Sequence, residues 1–205
     1  MEILVYSNNI EEYLESTEVV DYDNEIIQQL AETLYQKSES ELAYIKLTYE
    51  YVRDQISHSA DISEDLITCS ATEVLSAGHG ICFAKAHLLA ALLRYKGIPA
   101  GFCYQKLILD DDAAPVLIYH GLNGVYIKEI NRWIRLDARG NKEGVDAQFS
   151  LDKEQLAFPI RMEMGEMEDC VVYPTPDVNV LKSMRVSKTR SELWENLPTQ
   201  LAYHK

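Results

Sequence analysis

The segment 78–99 constrains the fold more than any other part of this 205-residue chain. Two glycines precede Cys82, and the cysteine opens a run rich in alanine and leucine. Gly97 and Pro99 then supply residue types that typically end a helix. We therefore predict a buried helix over 81–96, with Cys82 in its first turn.

The predicted position of Cys82 has a chemical consequence. Unpaired backbone N–H groups and the positive end of the helix dipole favour an anion in the first turn of a helix. Cysteine pKa values are lowered at such positions, and the thiolate is the nucleophilic form of the side chain. The neighbouring glycines leave the approach to the sulfur open. We predict a nucleophilic Cys82, against the alternative of a core thiol at a helix start.

Two predicted strands downstream carry a base and an acid. Residues 115–127 and 132–137 are rich in β-branched and aromatic side chains and flank a polar turn. His120 lies on the first strand and Asp137 ends the second. Antiparallel pairing would bring the imidazole and the carboxylate to one face, as a base and its orienting acid. The alternatives are a satisfied core histidine and a carboxylate that caps a turn.

Three sequence elements occur together in a diagnostic order. They are the Gly-x-Cys sequence at 80–82, the helix end over 94–100, and a strand histidine followed by Trp-x-x-x-Asp at 133–137. In this order they resemble the core of the transglutaminase-like superfamily, over roughly residues 40–140. The resemblance implies a papain-like α+β fold, with N-terminal helices and the nucleophile helix packed on an antiparallel sheet. Leu122 departs from the pattern, because many relatives carry an aromatic residue there.

The resemblance also implies a function. It assigns Cys82, His120 and Asp137 to a catalytic triad that acts on amide bonds through a thioester. Members of the family include glutamine-crosslinking acyltransferases, peptide hydrolases and inactive relatives. We therefore expect a cysteine-dependent amide or peptide hydrolase or acyltransferase with a peptide or protein substrate, and we favour hydrolysis. The alternative is a catalytically inactive protein-binding module with the same fold.

Composition and charge narrow the class of partner. The net charge of −14 argues against nucleic-acid binding. No apolar run approaches the ~20 residues that span a bilayer. The N-terminus lacks the basic head and long apolar segment of a signal peptide. We expect one domain over 1–205 in the cytoplasm, with no nucleic-acid or membrane partner.

Metal binding is a weaker interpretation of the same residues. His79, Cys82, His120 and Asp137 are residue types that bind zinc. However, His87 would lie about 140° around the helix from Cys82 and so not on its face. Three adjacent carboxylates at 110–112 could attract a hard cation, but they lack the ligand spacing of a calcium loop. We expect no metal and no cofactor.

The remaining predicted elements are a strand over 3–6, a helix from Asn24 capped by Asp23, helices over 41–55 and 72–77, strands over 100–109 and 158–164, and one helix over 178–196 capped by Asp177. The methionines at 162 and 164 are expected in the core. We expect His58 to lie in a solvated loop over 57–61. Cys69, Cys103 and Cys170 are expected to be buried, inert thiols.

Overall fold

The computed structural model describes residues 3–108 and 116–203. Its helices there are α1 (Glu25–Gln36), α2 (Glu41–Gln55), α3 (Ala71–Ala77), α4 (Cys82–Tyr95), α5 (Val178–Val186) and α6 (Arg190–Asn196). Its strands are β1 (Leu4–Val5), β2 (Ser57–His58), β3 (His79–Gly80), β4 (Ala100–Ile108), β5 (Leu117–Ile127), β6 (Arg132–Leu136) and β7 (Met167–Tyr173). Short 3-10 turns cover Ile10–Tyr13, Lys128–Ile130 and Met162–Met164.

Helix α4 lies at the centre of the structure. Every residue from Phe83 to Arg94 is buried. Helices α1, α2 and α3 contact α4, and strands β4 and β5 also pack against it. A helix with apolar residues on all of its sides must be covered on all sides, which explains this central position. The helix predicted over 81–96 is confirmed.

The main sheet has the strand order β1-β7-β4-β5-β6. Its pairs are antiparallel except for β1 with β7, which run parallel. Strand β4 pairs with β5 along its whole length, so that Gln105 lies opposite His120. Strand β6 pairs only with Asn123–Ile127 of β5. The earlier half of β5, which carries His120, is therefore not covered by β6. The predicted α+β class, with the nucleophile helix on an antiparallel sheet, is confirmed.

Local capping residues set the helix starts. Asn24, rather than the predicted Asp23, caps α1 by accepting a hydrogen bond from the N–H of Ile26 at 3.2 Å. Helix α3 ends at Gly78, which has a left-handed backbone with φ of 72°. Glycine adopts this conformation without steric cost, so the chain turns sharply from α3 towards β3 and Cys82.

The strand predicted over 158–164 is wrong. The segment is irregular and ends in the 3-10 turn Met162–Met164, and Met162 is 75% exposed. Pro159 has no N–H to donate to a β-ladder, which disfavours a strand there. The strand that joins the sheet is β7, and it pairs with β4. The methionines at 162 and 164 are exposed, so their predicted place in the core is also wrong.

The single C-terminal helix predicted over 178–196 is also wrong. The structure has two helices, α5 and α6, separated at an extended Ser187. Thr189 starts the second helix by accepting a hydrogen bond from the N–H of Glu192 at 3.2 Å. A capping side chain in mid-segment competes with helix continuation, which explains the break. The predicted cap at Asp177 is confirmed.

The cysteines differ in their surroundings. Cys103 is buried, whereas Cys69 and Cys170 are half-buried, so the prediction that they are buried is wrong for those two. The carboxylates at 110–112 lie outside the described residues. No helix within residues 3–108 and 116–203 combines the length and hydropathy that crossing a bilayer requires.

Candidate active site

Cys82 is the first residue of α4 and lines a cavity of about 720 Å³. Cys82 itself is half-buried. Ile81 precedes the helix and makes no side-chain capping hydrogen bond. The N–H groups of the first turn are therefore not occupied by a capping side chain, and such groups bind anions.

His120 and Asp137 form a buried pair beside Cys82. His120 Nε2 lies 2.8 Å from Asp137 Oδ2, and the two residues are 4% and 1% exposed. The carboxylate also accepts hydrogen bonds from the N–H of Arg139 at 3.1 Å and from the N–H of Ala157 at 3.0 Å. These bonds fix the carboxylate, and the carboxylate in turn fixes the imidazole.

The electrostatics of the pair follow from this geometry. Burial opposes protonation of His120, but the charge of Asp137 and the hydrogen-bonded Cys82 outweigh it and raise the pKa of the imidazole. Burial likewise opposes ionisation of Asp137, but His120 and the two backbone N–H groups lower the pKa of the carboxyl. Because Nε2 faces Asp137, Nδ1 is the ring nitrogen left for the sulfur of Cys82.

Lys85 is a site residue that the sequence analysis missed. Its side chain is 0% exposed, and Nζ donates to the carbonyls of Ile56 at 2.5 Å, Arg139 at 2.9 Å and Arg53 at 3.3 Å. Burial and the nearby charge of Arg139 lower the pKa of Lys85 to about 7. The signal in the sequence was a lysine near the start of a helical run rich in alanine and leucine.

His58 lies in the same cavity, contrary to the prediction of a solvated loop. It is 9% exposed and belongs to β2, which pairs with β3 so that His58 lies opposite Gly80. This pairing explains why His58 is buried. A strand of only two residues has too short a sequence pattern to predict it. Burial and the charge of Arg139 lower the pKa of His58 to about 3, so the ring is neutral near pH 7.

The charged side chains that line the cavity pair with one another. Asp61 accepts hydrogen bonds from Arg139 Nη2 at 2.9 Å and from Lys142 Nζ at 2.7 Å. Arg161 and Glu166 form a second ion pair at 2.5 Å. Arg139 and Lys142 belong to the segment after Asp137.

The histidines considered as zinc ligands have other partners. His79 Nδ1 lies 2.9 Å from Ser59 Oγ, and His87 Nδ1 donates to the carbonyl of Cys69 at 2.7 Å. Across the described ranges 3–108 and 116–203, no group of three or more His, Cys, Asp or Glu side chains is arranged to hold a metal.

Comparison with known families identifies the family of this chain. The sequence model of the transglutaminase-like superfamily matches residues 28–138. That range is more than half of the chain, and it contains Cys82, His120 and Asp137. The chain belongs to the transglutaminase-like superfamily. No curated protein matches the sequence.

Parts of two solved structures are similar to this chain. A candidate cysteine protease from Cytophaga hutchinsonii is 21% identical, with a TM-score of 0.52 over 65% of this chain and 43% of that one. The periplasmic domain of TgpA from Pseudomonas aeruginosa is 18% identical, with a TM-score of 0.47 over 63% of this chain and 46% of that one. The matched part thus spans less than half of either protein.

Proposed function

We propose that this protein is a cysteine-dependent amide or peptide hydrolase or acyltransferase. In this proposal Cys82 is the nucleophile, His120 is the general base and Asp137 orients the imidazole. The observation that carries the proposal is the buried 2.8 Å contact between His120 and Asp137 beside a cysteine at a helix start. A nucleophile, a base and a group that orients the base are the arrangement that thiol catalysis requires.

The first half of the reaction forms a thioester. His120 takes the proton of Cys82, and the thiolate attacks the carbonyl carbon of the amide. The oxyanion of the tetrahedral intermediate accepts a hydrogen bond from the backbone N–H of Cys82, and one such donor typically lowers the barrier by ~3 kcal/mol. His120 then gives its proton to the leaving amine as the C–N bond breaks.

The second half resolves the thioester. His120 removes a proton from water or from an acceptor amine, and that nucleophile attacks the thioester carbonyl. The thiolate of Cys82 leaves and takes the proton back through His120. Water yields a carboxylic acid, whereas an amine yields a new amide. The same three residues serve both outcomes, and we favour hydrolysis of peptide or amide bonds.

Alkylation by iodoacetamide tests this proposal. We expect Cys82 to react about tenfold faster than Cys69 in the same protein. The substitution His120→Ala should slow the alkylation of Cys82 by about tenfold or more. Mass spectrometry of the digested protein measures both sites, so the half-buried Cys69 is an internal control. Circular dichroism checks that the variant folds.

The opposite result has a clear meaning. Equal, slow alkylation of Cys82 in the wild type and in His120→Ala would contradict the proposal. The protein would then fit a binding module that keeps the fold without the activity.

A further inference from the structure

We propose that residues 194–198 form one wall of the substrate site, and that the cavity accepts uncharged, apolar peptide side chains beside the bond that Cys82 attacks. The inference rests on the proposed function and adds a class of substrate to it. It is carried by how the C-terminal segment is attached and by the chemistry of the cavity lining.

The C-terminal segment is anchored one residue away from His120. The N–H of Tyr119 donates to the carbonyl of Pro198 at 3.0 Å. This bond lies on the half of β5 that β6 does not cover. Trp194 and Leu197 reach the cavity from this segment. The end of the chain therefore walls the cavity beside the imidazole.

A second attachment holds the segment from its far end. Asp177 is fully buried, and its carboxylate accepts hydrogen bonds from the N–H of Ala202 at 2.6 Å and of Tyr203 at 3.3 Å. The N–H of Asp177 itself donates to the hydroxyl of Tyr104 at 2.8 Å. Because the chain after Leu197 is tied down at Pro198 and again at Ala202 and Tyr203, the wall is pre-positioned for binding.

The surface next to His120 is apolar. Ile118 lies two residues before His120 and so on the same face of β5, and Leu107 lies directly opposite Ile118 on β4. The ring of Phe158 stands perpendicular to the imidazole, with 5.1 Å between the ring centroids. An apolar surface therefore runs from the imidazole along the cavity towards the C-terminal wall.

Among the described residues that line the cavity, each carboxylate outside the proposed triad is paired with a cation. Asp61 is held by Arg139 and Lys142, and Glu166 is held by Arg161. A basic substrate side chain would have to take a carboxylate from one of these pairs, and an acidic one would have to draw a cation away from Asp61 or Glu166. Both events are costly, so the cavity disfavours charged substrates.

The cavity is large enough for a peptide segment. Its volume of about 720 Å³ lies within the usual range of small-molecule sites, ~300–1,000 Å³. Trp194 and Leu197 lie outside the family-matched range 28–138. The C-terminal wall is therefore a part of the cavity that the family match does not include.

Peptidyl chloromethyl ketones, in which the cysteine sulfur displaces chloride, provide the test. We expect the acetyl-Leu-Leu probe to alkylate Cys82 about tenfold faster than the acetyl-Asp-Asp and acetyl-Lys-Lys probes. Trp194→Ala and Leu197→Ala should each lower the ratio of the Leu-Leu probe rate to the iodoacetamide rate by about tenfold. Trp133→Phe, which alters a tryptophan outside this cavity, should change neither rate.

The outcomes separate the inference from the proposed function. Equal rates for the three peptidyl probes, with iodoacetamide still fast and dependent on His120, would overturn the apolar preference alone. Slow iodoacetamide alkylation of Cys82, at the same rate in the wild type and in His120→Ala, would overturn the proposed function. In that case calorimetry still tests the inference. It measures the binding of acetyl-Leu-Leu amide, acetyl-Asp-Asp amide and acetyl-Lys-Lys amide. Tighter binding of the Leu-Leu amide that Trp194→Ala abolishes would support it, and equal binding of the three would refute it.

Discussion

Lys85 donates a hydrogen bond to the carbonyl of Arg139 at 2.9 Å, and the N–H of Arg139 donates to Asp137 Oδ1 at 3.1 Å. The helix that begins at Cys82 is therefore connected to the turn that holds the carboxylate. The same ammonium group also binds the carbonyl of Ile56, just before the strand that carries His58. One buried lysine thus ties two cavity-lining segments to the nucleophile helix.

Replacing this lysine by methionine should destabilise the protein by about 3 kcal/mol at pH 7, because buried carbonyls lose their donor. The loss should also depend on pH. The pKa of Lys85 is lowered to about 7, whereas an unfolded lysine titrates near ~10.4. Between these values the unfolded wild type binds more protons than the folded one. Its stability therefore rises with pH, by at most ~1.4 kcal/mol per unit, and Lys85→Met lacks this gain.

Urea unfolding at pH 7, 8 and 9 measures the difference between Lys85→Met and the wild type. The stability gap should widen as the pH rises. Lys142→Met is the matched control, because the side chain of Lys142 is 48% exposed. A gap of constant size for Lys85→Met would show that the ammonium titrates as it does in solvent.

Asp137→Asn should impair both stability and thiol reactivity. An asparagine keeps the size of the side chain but removes the charge that raises the pKa of His120. The NH2 group of the asparagine would also replace one acceptor oxygen, so that two donors would face each other at one of the contacts that the carboxylate now makes. We expect a loss of about 3 kcal/mol and alkylation of Cys82 slowed by about tenfold.

The acid side of the stability profile checks the same residue. The pKa of Asp137 is lowered in the folded state, so its contribution is complete above the unfolded pKa of ~3.9 and is lost as the pH falls towards the folded value. Wild type and Asp137→Asn should therefore converge in stability below about pH 4. Parallel curves in acid would contradict the charge argument.

The parts of the fold that the sequence predicted are those with strong local signals. Helix α4 was predictable because a long apolar run lies between glycines and a proline. Strands β5 and β6 were predictable from β-branched and aromatic residues around a polar turn. Strand β7 was missed because a competing alternation of apolar residues at 158–164 precedes it. The break at Ser187 depends on a capping bond, which a continuous helical pattern hides.

The residues of the candidate site show the same contrast between strong local signals and long-range contacts. Cys82, His120 and Asp137 were identified by residue type and order, although their catalytic roles stay a prediction, as does the single domain. Lys85 and His58 were missed because their importance comes from partners distant in sequence. Three carbonyl acceptors explain the lysine, and pairing with β3 explains the buried histidine. Long-range contacts of this kind leave no periodic pattern in the sequence.

Asp61→Asn should change which peptides the cavity admits. The carboxylate of Asp61 holds Arg139 and Lys142, so its removal leaves two cations facing the cavity. We expect the acetyl-Asp-Asp chloromethyl ketone to alkylate Cys82 about tenfold faster than in the wild type, with the Lys-Lys probe unaffected or slower. Asp54→Asn is the control, because Asp54 pairs with Arg53 and does not line the cavity. An unchanged ratio of the Asp-Asp and Lys-Lys rates would count against the charge pairing as the basis of selection.

Gly121→Ala should disturb the contact between the nucleophile helix and the strand of His120. A Cβ atom at Gly121 would lie 2.4 Å from Cδ1 of Phe83, the residue after Cys82. Phe83 is buried, so the helix or the strand must shift, and overpacking of this kind typically costs ~1–3 kcal/mol. The shift should also separate Cys82 from His120 and slow its reaction with iodoacetamide. In the double variant Gly121→Ala/Phe83→Leu, the smaller side chain should restore part of both losses, and a double-mutant cycle measures the coupling. Strictly additive effects would mean that the two residues do not press on each other as the structure places them.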